Sequence, residues 1–345
     1  MTHVPSMSRR QFLNATAATA TAAAAGLSVS AAPKPEKAQI ALTLDLEMSR
    51  HYPRRGLTEW DYQKGNLDKA TKAYSLKAAR VAHDMGARIH FFCVGRVLEQ
   101  PDVGWLKEII QMGHPVGNHT YDHVNVLATN PKQTQFRFQR APWLLRGRTA
   151  AEVIEQNIAT TNVAMKTRLG ISPNGFRTPG GFYNGLKGRP DLHAMLKRQG
   201  FKWVSSVYPP HLSGQPKQEP GPEVYNSIVA AQQKAQPFRY PSGLVEIPMS
   251  PISDVTAFRA KFWKLDYFLK GVRLAVEWAI QERKGVRLPG PSLVPGGRGS
   301  RMRDRQDGLR SCEPEQGPRR NRGPRQDRRP RGLRSMACSR FSFTR

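Results

Sequence analysis

The chain has 345 residues, of which 39% are hydrophobic, so it can bury one large core or two small ones. Basic residues exceed acidic ones by 28, but residues 287–345 alone hold 16 Arg against 5 acidic residues, a surplus of 11. The first 286 residues keep a surplus of 17, which does not call for a nucleic-acid partner, and an Arg-rich nucleic-acid binder is suggested only by the tail. With three cysteines, no disulfide framework is predicted.

The amino terminus is similar to a twin-arginine signal peptide. The pair Arg9-Arg10 stands before Phe-Leu, a weakly apolar Ala/Thr-rich run continues to Leu27, and small residues precede Pro33. The run is shorter than the roughly 20 apolar residues that span a bilayer, so no stable membrane span is predicted. We expect a signal over residues 1–32, the twin-arginine export machinery as a partner, and a periplasmic or extracellular location, with an ordinary basic tail as the alternative.

From Gln39 onward, short apolar runs alternate with amphipathic stretches, which predicts a β/α fold with a parallel sheet. The predicted strands are, in chain order, 40–45, 89–94, 115–118, 175–177, 201–206 and 244–249. The predicted helices are 75–85, 105–112, 150–169, 190–199 and one long helix over 258–282. Two segments without periodicity, 54–66 and 208–241, are interpreted as rim loops. In a barrel of such units, active groups lie at the carboxyl ends of the strands.

Two imidazoles stand four residues apart, at His119 and His123, directly after a predicted strand. This spacing allows both rings to face one point on a helical turn, as a divalent ion requires. Histidines at this spacing also occur on plain helix surfaces, so the pair depends on its neighbours for its interpretation.

Two carboxylates, Asp45 and Glu47, come at the end of the first strand. Their two-residue spacing predicts that both side chains point to the same face. Beside a metal ion, one carboxylate can bind the ion while the other accepts a proton from water. The alternative is a solvated pair of acids, or a pair that caps a helix.

Arg177 begins an Arg-Thr-Pro-Gly-Gly segment after another predicted strand. At that place an arginine could hold a carboxylate through a bidentate pair. The alternative is an exposed basic residue on a glycine-rich turn.

These three motifs follow one another as in the polysaccharide deacetylases, also called carbohydrate esterase family 4 or NodB-homology enzymes. The resemblance covers about residues 38–282 and implies an α/β fold, a NodB-like distorted (β/α) barrel with about seven parallel strands. It implies that Asp45 is the catalytic base and that Arg177 orients it. Glu47, His119 and His123 would bind a divalent metal, expected to be zinc. The Asp-x-Glu form departs from the commoner Asp-Asp and resembles a branch with one residue inserted between the acids.

The resemblance implies hydrolysis of a non-peptide C–N bond, with removal of N-acetyl groups from an N-acetylated glycan similar to peptidoglycan or chitin. Asp254 resembles the acid of a fourth family motif and is a further catalytic candidate. Relatives in the same branch that act on small amides offer an alternative. The aromatic residues Trp60, Trp143 and Tyr208 on long loops favour a sugar polymer, because sugar faces stack on aromatic rings.

The family's final motif, Leu-x-His, supplies a general acid, but the last histidine of this chain is His211. We therefore expect a catalytic domain over 38–285, an apparently lost last strand, and a basic low-complexity tail over 286–345 that is disordered or frameshifted. Codons for residues 287–296 exist which, shifted by one nucleotide, spell Asp-Phe-Leu-Ala-His-Pro-Ser-Cys-Leu-Val and restore the motif. As written, the chain could be inactive, or a metal-containing protein that binds glycan without catalysis.

Overall fold

The centre of the molecule is a curled, mostly parallel sheet flanked by helices. The computed structural model describes residues 37–48 and 64–289. The strands in chain order are β1 Gln39–Leu46, β2 Ile89–Cys93, β3 Val116–Asn118, β4 Gly175–Phe182, β5 Trp203–Val207, β6 Phe238–Arg239, β7 Val245–Glu246 and β8 Gly285–Pro289. Their order in the sheet is β6-β7-β5-β4-β3-β2-β1-β8, and every described pair except β6–β7 is parallel. The predicted α/β fold with a mostly parallel sheet is confirmed.

Helices connect the strands, as in a β/α fold. They are α1 Lys69–Asp84, α2 Gly104–Gln111, α3 Phe136–Arg140, α4 Ala150–Leu169, α5 Pro190–Arg198, α6 Pro222–Ala231 and α7 Leu265–Glu282. Short 3-10 helices are Gly95–Glu99, Pro131–Thr134, Pro142–Leu145 and Gln232–Ala235, and Val255–Ala260 is a π-helix. Helix α4 has the bounds that its sequence predicts, since Thr149 and Glu152 form a capping box and Gly170 ends it in the left-handed conformation.

Alternation along the strands separates two layers of side chains. On the outer side, Leu44 and Leu46 of β1 pack with α1 and α2 in one apolar cluster, and a second cluster joins α4 and α5 to β4 and β5. On the inner side, the rings of His90 and Phe92 stack with centroids 4.6 Å apart. Gly117 is required beside them, because a Cβ there would lie 2.8 Å from the Phe92 ring. Aromatic rings therefore pack against one another on the inner side of the sheet.

One part of the fold prediction needs correction: the last strand is not lost. Strand β8 pairs in parallel with β1, with Gly285 opposite Gln39. The Gln236 side chain donates a hydrogen bond to Gly285 O at 2.8 Å and accepts one from Gly285 N at 3.2 Å. These bonds also connect β8 to the segment before β6. Strand pairing uses backbone groups that most residues provide, so a strand can form here without a regular apolar pattern.

Other elements also differ from their predictions. The predicted helix over 258–282 is interrupted, because Phe262 adopts φ 56° and the buried Trp263 turns into the core between the π-helix and α7. The segment 208–241, interpreted as a rim loop, contains α6, whose Val224, Tyr225 and Ile228 are buried. In the sequence, the proline and glycine residues around this helix indicate turns and obscure its short apolar period.

The predicted signal peptide, residues 54–63 of the first predicted rim loop, and the sequence beyond residue 289 lie outside the described residues. Among the helices that the structure describes, none is long and apolar enough to cross a bilayer.

Candidate metal centre

The predicted site residues of three motifs meet at the carboxyl edge of the sheet. Asp45 lies near the end of β1 and Glu47 directly after it, His119 follows β3, and Arg177 lies in β4. His119 Nε2 is 3.7 Å from Glu47 Oε2 and 4.0 Å from Asp45 Oδ2. Both carboxylates therefore face the same side, as their spacing predicts.

The two histidines converge without a helical turn, contrary to the sequence-based expectation. Their ring centroids are 5.1 Å apart, but Thr120 and His123 both adopt φ 59° in an irregular loop. The buried Asn118 side chain accepts a hydrogen bond from Thr120 N at 2.8 Å, and Thr120 Oγ1 accepts one from Val124 N at 3.0 Å. Left-handed conformations at two non-glycine residues are costly and persist where surrounding contacts impose them, often at functional sites.

Charged contacts hold the same loop from outside. Asp122, between the histidines, accepts hydrogen bonds from Arg96 at 2.6 Å and from Arg137. Its backbone N donates to Asn157 of α4 at 2.8 Å. The loop that presents the histidines is thus fixed to the 3-10 helix after β2, to α3 and to α4.

Glu47, His119 and His123 form a possible metal site, and their ligand atoms lie within 4.8 Å of one another. Glu47 Oε2 is 2.8 Å from His123 Nε2, yet this buried oxygen has no well-directed hydrogen bond among the described residues. His119 Nδ1 lies 2.9 Å from the carbonyl oxygen of Arg177, which fixes Nδ1 as the donor and leaves Nε2 as the lone pair facing Glu47. A carboxylate oxygen and two imidazole nitrogens suit a divalent ion such as zinc.

The protonation states favour metal binding. Burial lowers the pKa of His123 to about 4, so this imidazole is neutral and able to bind metal near pH 7. Burial alone would raise the pKa of Glu47, but His123 and Lys64 hold it well below its ordinary value, so the carboxylate is ionised. Lys64 Nζ lies 2.5 Å from Glu47 Oε1.

Arg177 is buried and fixes Asp45. Its Nη1 donates to Asp45 Oδ1 at 2.9 Å and its Nη2 donates to Thr43 Oγ1 at 2.9 Å, while the guanidinium lies 4.3 Å from the centroid of the Phe92 ring. The expected bidentate pair is therefore replaced by one bond to the carboxylate and one to a threonine. The alternative of an exposed turn residue is wrong, because the Arg177 side chain is only 1% exposed. The Asp45 side chain keeps 22% exposure, so water reaches the carboxylate.

The remaining predicted residues lie elsewhere. Asp254 is buried before the π-helix and close enough to Tyr208 to help burial raise the pKa of that phenol. It is not one of the three residues of the possible metal site. Trp143 is 71% exposed, Tyr208 donates to Ser253 Oγ at 2.5 Å, and Trp60 lies outside the described residues.

Sequence reasoning missed two residues that contact the predicted ones. Thr43 stands two residues before Asp45 on the same face of β1, so strand alternation could have revealed it. Lys64 lies in a segment without periodicity, and no local pattern placed it beside Glu47.

Comparison with known proteins gives a match over part of the chain. Residues 66–194 match the family model described as polysaccharide deacetylase. The matched segment contains His119, His123 and Arg177 and begins after Asp45 and Glu47, so it supports the resemblance to this family and leaves the Asp-x-Glu branch a prediction. No curated protein sequence matches this chain significantly.

Three solved structures illustrate what the chain is similar to. A putative polysaccharide deacetylase from Mycobacterium smegmatis is 14% identical, with 81% of this chain and 87% of that chain covered and a TM-score of 0.46. A probable polysaccharide deacetylase from Pseudomonas aeruginosa PAO1 is 12% identical, with 79% and 83% covered and a TM-score of 0.46. A family 4 carbohydrate esterase from Streptomyces lividans, in complex with acetate, is 15% identical, with 75% and 94% covered and a TM-score of 0.35.

Proposed function

We propose that this protein is a metal-dependent hydrolase that removes N-acetyl groups from an N-acetylated polysaccharide. The observation that carries the proposal is the joint placement of two groups at one sheet edge. Glu47, His119 and His123 supply three metal-binding atoms, and Asp45, held by Arg177, lies beside them on the exposed side.

Zinc is the proposed ion, because one carboxylate oxygen and two imidazole nitrogens form its usual donor set in hydrolases. When bound, such an ion polarises a carbonyl oxygen and makes water more acidic. The neutral imidazole of His123 and the ionised Glu47 are in the protonation states that binding requires.

Asp45 acts as the general base in this proposal. It takes a proton from the water whose oxygen attacks the acetamide carbon. As the C–N bond breaks, the leaving nitrogen takes a proton from the Leu-x-His general acid of the frame-corrected chain, giving an amine and acetate. Arg177 and Thr43 keep the base in place, since the guanidinium bridges Asp45 Oδ1 and Thr43 Oγ1. Asp254 is proposed as a further catalytic acid, because it resembles the acid of the family's fourth motif.

An exposed aromatic ring favours a glycan over a small amide as the substrate. Trp143 projects an exposed ring from the segment that follows the histidine loop, where a sugar face could stack. We further propose export by the twin-arginine route, with residues 1–32 as the signal and a periplasmic or extracellular place of action.

One observation favours a second function, glycan binding without catalysis. The chain has no histidine after His211, so the Leu-x-His general acid that the resemblance implies is missing. We propose that a frameshift near Val286 removed it, with the catalytic domain over about residues 38–285 and the basic low-complexity sequence of residues 286–345 after it.

The test is acetate release from an N-acetylglucosamine oligomer, with and without added zinc, by this chain and by its frame-corrected counterpart. We expect zinc-dependent release from the corrected chain and little or none from the chain as written. Bound zinc and bound oligomer without acetate from either chain would favour the non-catalytic binding protein. An unbroken frame on resequencing the locus would contradict the frameshift.

A further inference from the structure

We propose that Lys64 is a positioning residue that orients the metal ligand Glu47. The inference rests on the proposed function, because it concerns the same metal site. Lys64 Nζ lies 2.5 Å from Glu47 Oε1, and the two side chains are 3% and 7% exposed. A lysine is rarely buried to this extent unless it is paired, so its place beside a metal ligand requires an explanation.

The turn that carries Lys64 is fixed to the sheet edge. Met48 N, directly after Glu47, donates to the carbonyl oxygen of Lys64 at 2.9 Å. The Gln100 side chain donates to the carbonyl oxygens of Gly65 and Leu67, each at 3.2 Å. These bonds hold the lysine backbone in register with the end of β1, so its side chain enters the site from a fixed direction.

Glycine next to Lys64 makes this close approach possible. A Cβ at Gly65 would lie 2.2 Å from Arg96 Cβ and 2.8 Å from Val97 N. The turn is therefore packed directly on the 3-10 helix after β2, whose Arg96 also bonds Asp122 in the histidine loop. The same 3-10 helix therefore contacts both the turn of Lys64 and the loop that carries His119 and His123.

Because Lys64 binds one Glu47 oxygen, the two oxygens have different partners. Oε1 accepts from the ammonium, while Oε2 faces His123 Nε2 at 2.8 Å and His119 Nε2 at 3.7 Å. A glutamate has one more rotatable bond than an aspartate, so a buried glutamate ligand needs an additional anchor to stay in one geometry. The ammonium supplies that anchor and directs Glu47 to bind through one oxygen.

The ammonium also carries a positive charge, which opposes a divalent cation nearby. If charge repulsion dominated, removing Lys64 would tighten metal binding. If orientation dominates, as we propose, removal weakens it, in line with the roughly 10–100-fold losses that follow the removal of groups which orient metal ligands. The two effects have opposite signs, so one measurement separates them.

The experiment is calorimetric titration of metal-free protein with zinc for wild type, Lys64→Met and Lys64→Ala. The exposed Lys69→Met, five residues later, is the matched control. We expect zinc affinity to fall about 10–100-fold in both Lys64 variants and to stay unchanged in the control. The visible spectrum of the cobalt-loaded Lys64 variants should also change, because a released carboxylate can bind through both oxygens.

A folded Lys64→Met that binds zinc as tightly as wild type, or more tightly, would overturn the proposal. If that variant does not fold, Lys64→Ala, which leaves room for water, decides the question in the same way. Wild-type protein that binds no zinc contradicts the proposed metal site itself, so failure of the function and failure of this inference give different results.

Discussion

Two buried glutamates in this molecule differ in how their oxygens are satisfied. Glu246, on β7, accepts hydrogen bonds at both oxygens: Oε1 from Ser206 N and Val207 N at 2.7 and 3.0 Å, and Oε2 from Ser206 Oγ and Tyr240 OH at 2.6 and 2.8 Å. Glu47 has one oxygen held by Lys64, and its other oxygen faces two imidazole nitrogens.

The partners of the two carboxylates distinguish a structural acid from a proposed metal ligand. The four donors to Glu246 are neutral, two backbone N–H groups and two hydroxyls, so that carboxylate joins β5, β7 and the β6–β7 turn. The buried Oε2 of Glu47 is instead aimed at groups that bind metals. Full burial alone does not identify a functional acid; the chemistry of its partners does.

The largest effect should come from removing a metal ligand. We expect His119→Ala to lower zinc affinity by more than about 100-fold, since even groups behind the ligands cost 10–100-fold. Calorimetric titration measures this, and acetate release should fall to background. His114→Ala is the control, because His114 is equally buried but its two ring nitrogens bond backbone groups, at Ile89 N and Ala79 O. If His119→Ala bound zinc as tightly as wild type, His119 would not be a zinc ligand.

Within the same site, Asp45→Asn should show whether Asp45 acts as the general base or binds the metal. The amide still accepts from Arg177, so the local structure is kept, but it cannot take a proton. We expect acetate release to fall about 10²–10⁴-fold, measured as kcat in the chain that is active. Zinc affinity should change little, because Asp45 is not one of the three clustered ligands. A loss of zinc binding as large as that of His119→Ala would make Asp45 a ligand instead.

Glu246 and its partners also show where sequence reasoning reached its limit. The motifs around Asp45, His119 and Arg177 stand at strand ends, and parallel strands bring their carboxyl ends to one edge, so their meeting could be predicted. Glu246 reads only as an acid in a short apolar run, and its donors are up to 40 residues away. Lys64 is equally hidden, because a turn outside any periodic segment places it.

The predictions for the histidine loop and for the last helix were wrong for a related reason. A spacing of four residues suggested a helical turn at His119, but bonds from Asn118 and Thr120 impose a left-handed loop. The apolar period around Phe262 suggested one helix, but burial of Trp263 breaks it. In both places tertiary contacts outweigh local propensity.

A smaller effect, on stability alone, is expected at the structural glutamate. Glu246→Gln turns an NH₂ group toward hydrogen-bond donors, so we expect the free energy of unfolding to fall by about 1–3 kcal/mol. Urea denaturation measures this change, and zinc affinity should remain that of wild type. A Glu246→Gln variant that loses zinc would show that the two carboxylates are not independent.

The difference in stability between wild type and Glu246→Gln should change with pH in a defined direction. Burial raises the pKa of Glu246 above its ordinary 4.5, although its four hydrogen bonds oppose the shift. Between 4.5 and the raised pKa, the folded protein binds this proton more tightly than the unfolded chain does. The stability of wild type relative to Glu246→Gln should therefore increase as pH falls through this range, and a constant difference would contradict the shift.

The smallest effect should follow from Tyr240→Phe, which removes one of the four donors to Glu246. Ser206 Oγ still bonds Oε2 at 2.6 Å, so the carboxylate keeps a partner at each oxygen, while Leu186 N loses the phenol oxygen that it bonds at 3.0 Å. We expect a loss of about 1 kcal/mol in the free energy of unfolding, measured by urea denaturation at neutral pH. The exposed Tyr183→Phe should leave it unchanged. A loss larger than that of Glu246→Gln would mean that the Tyr240 bond to Leu186, rather than the carboxylate, holds the β6–β7 turn in place.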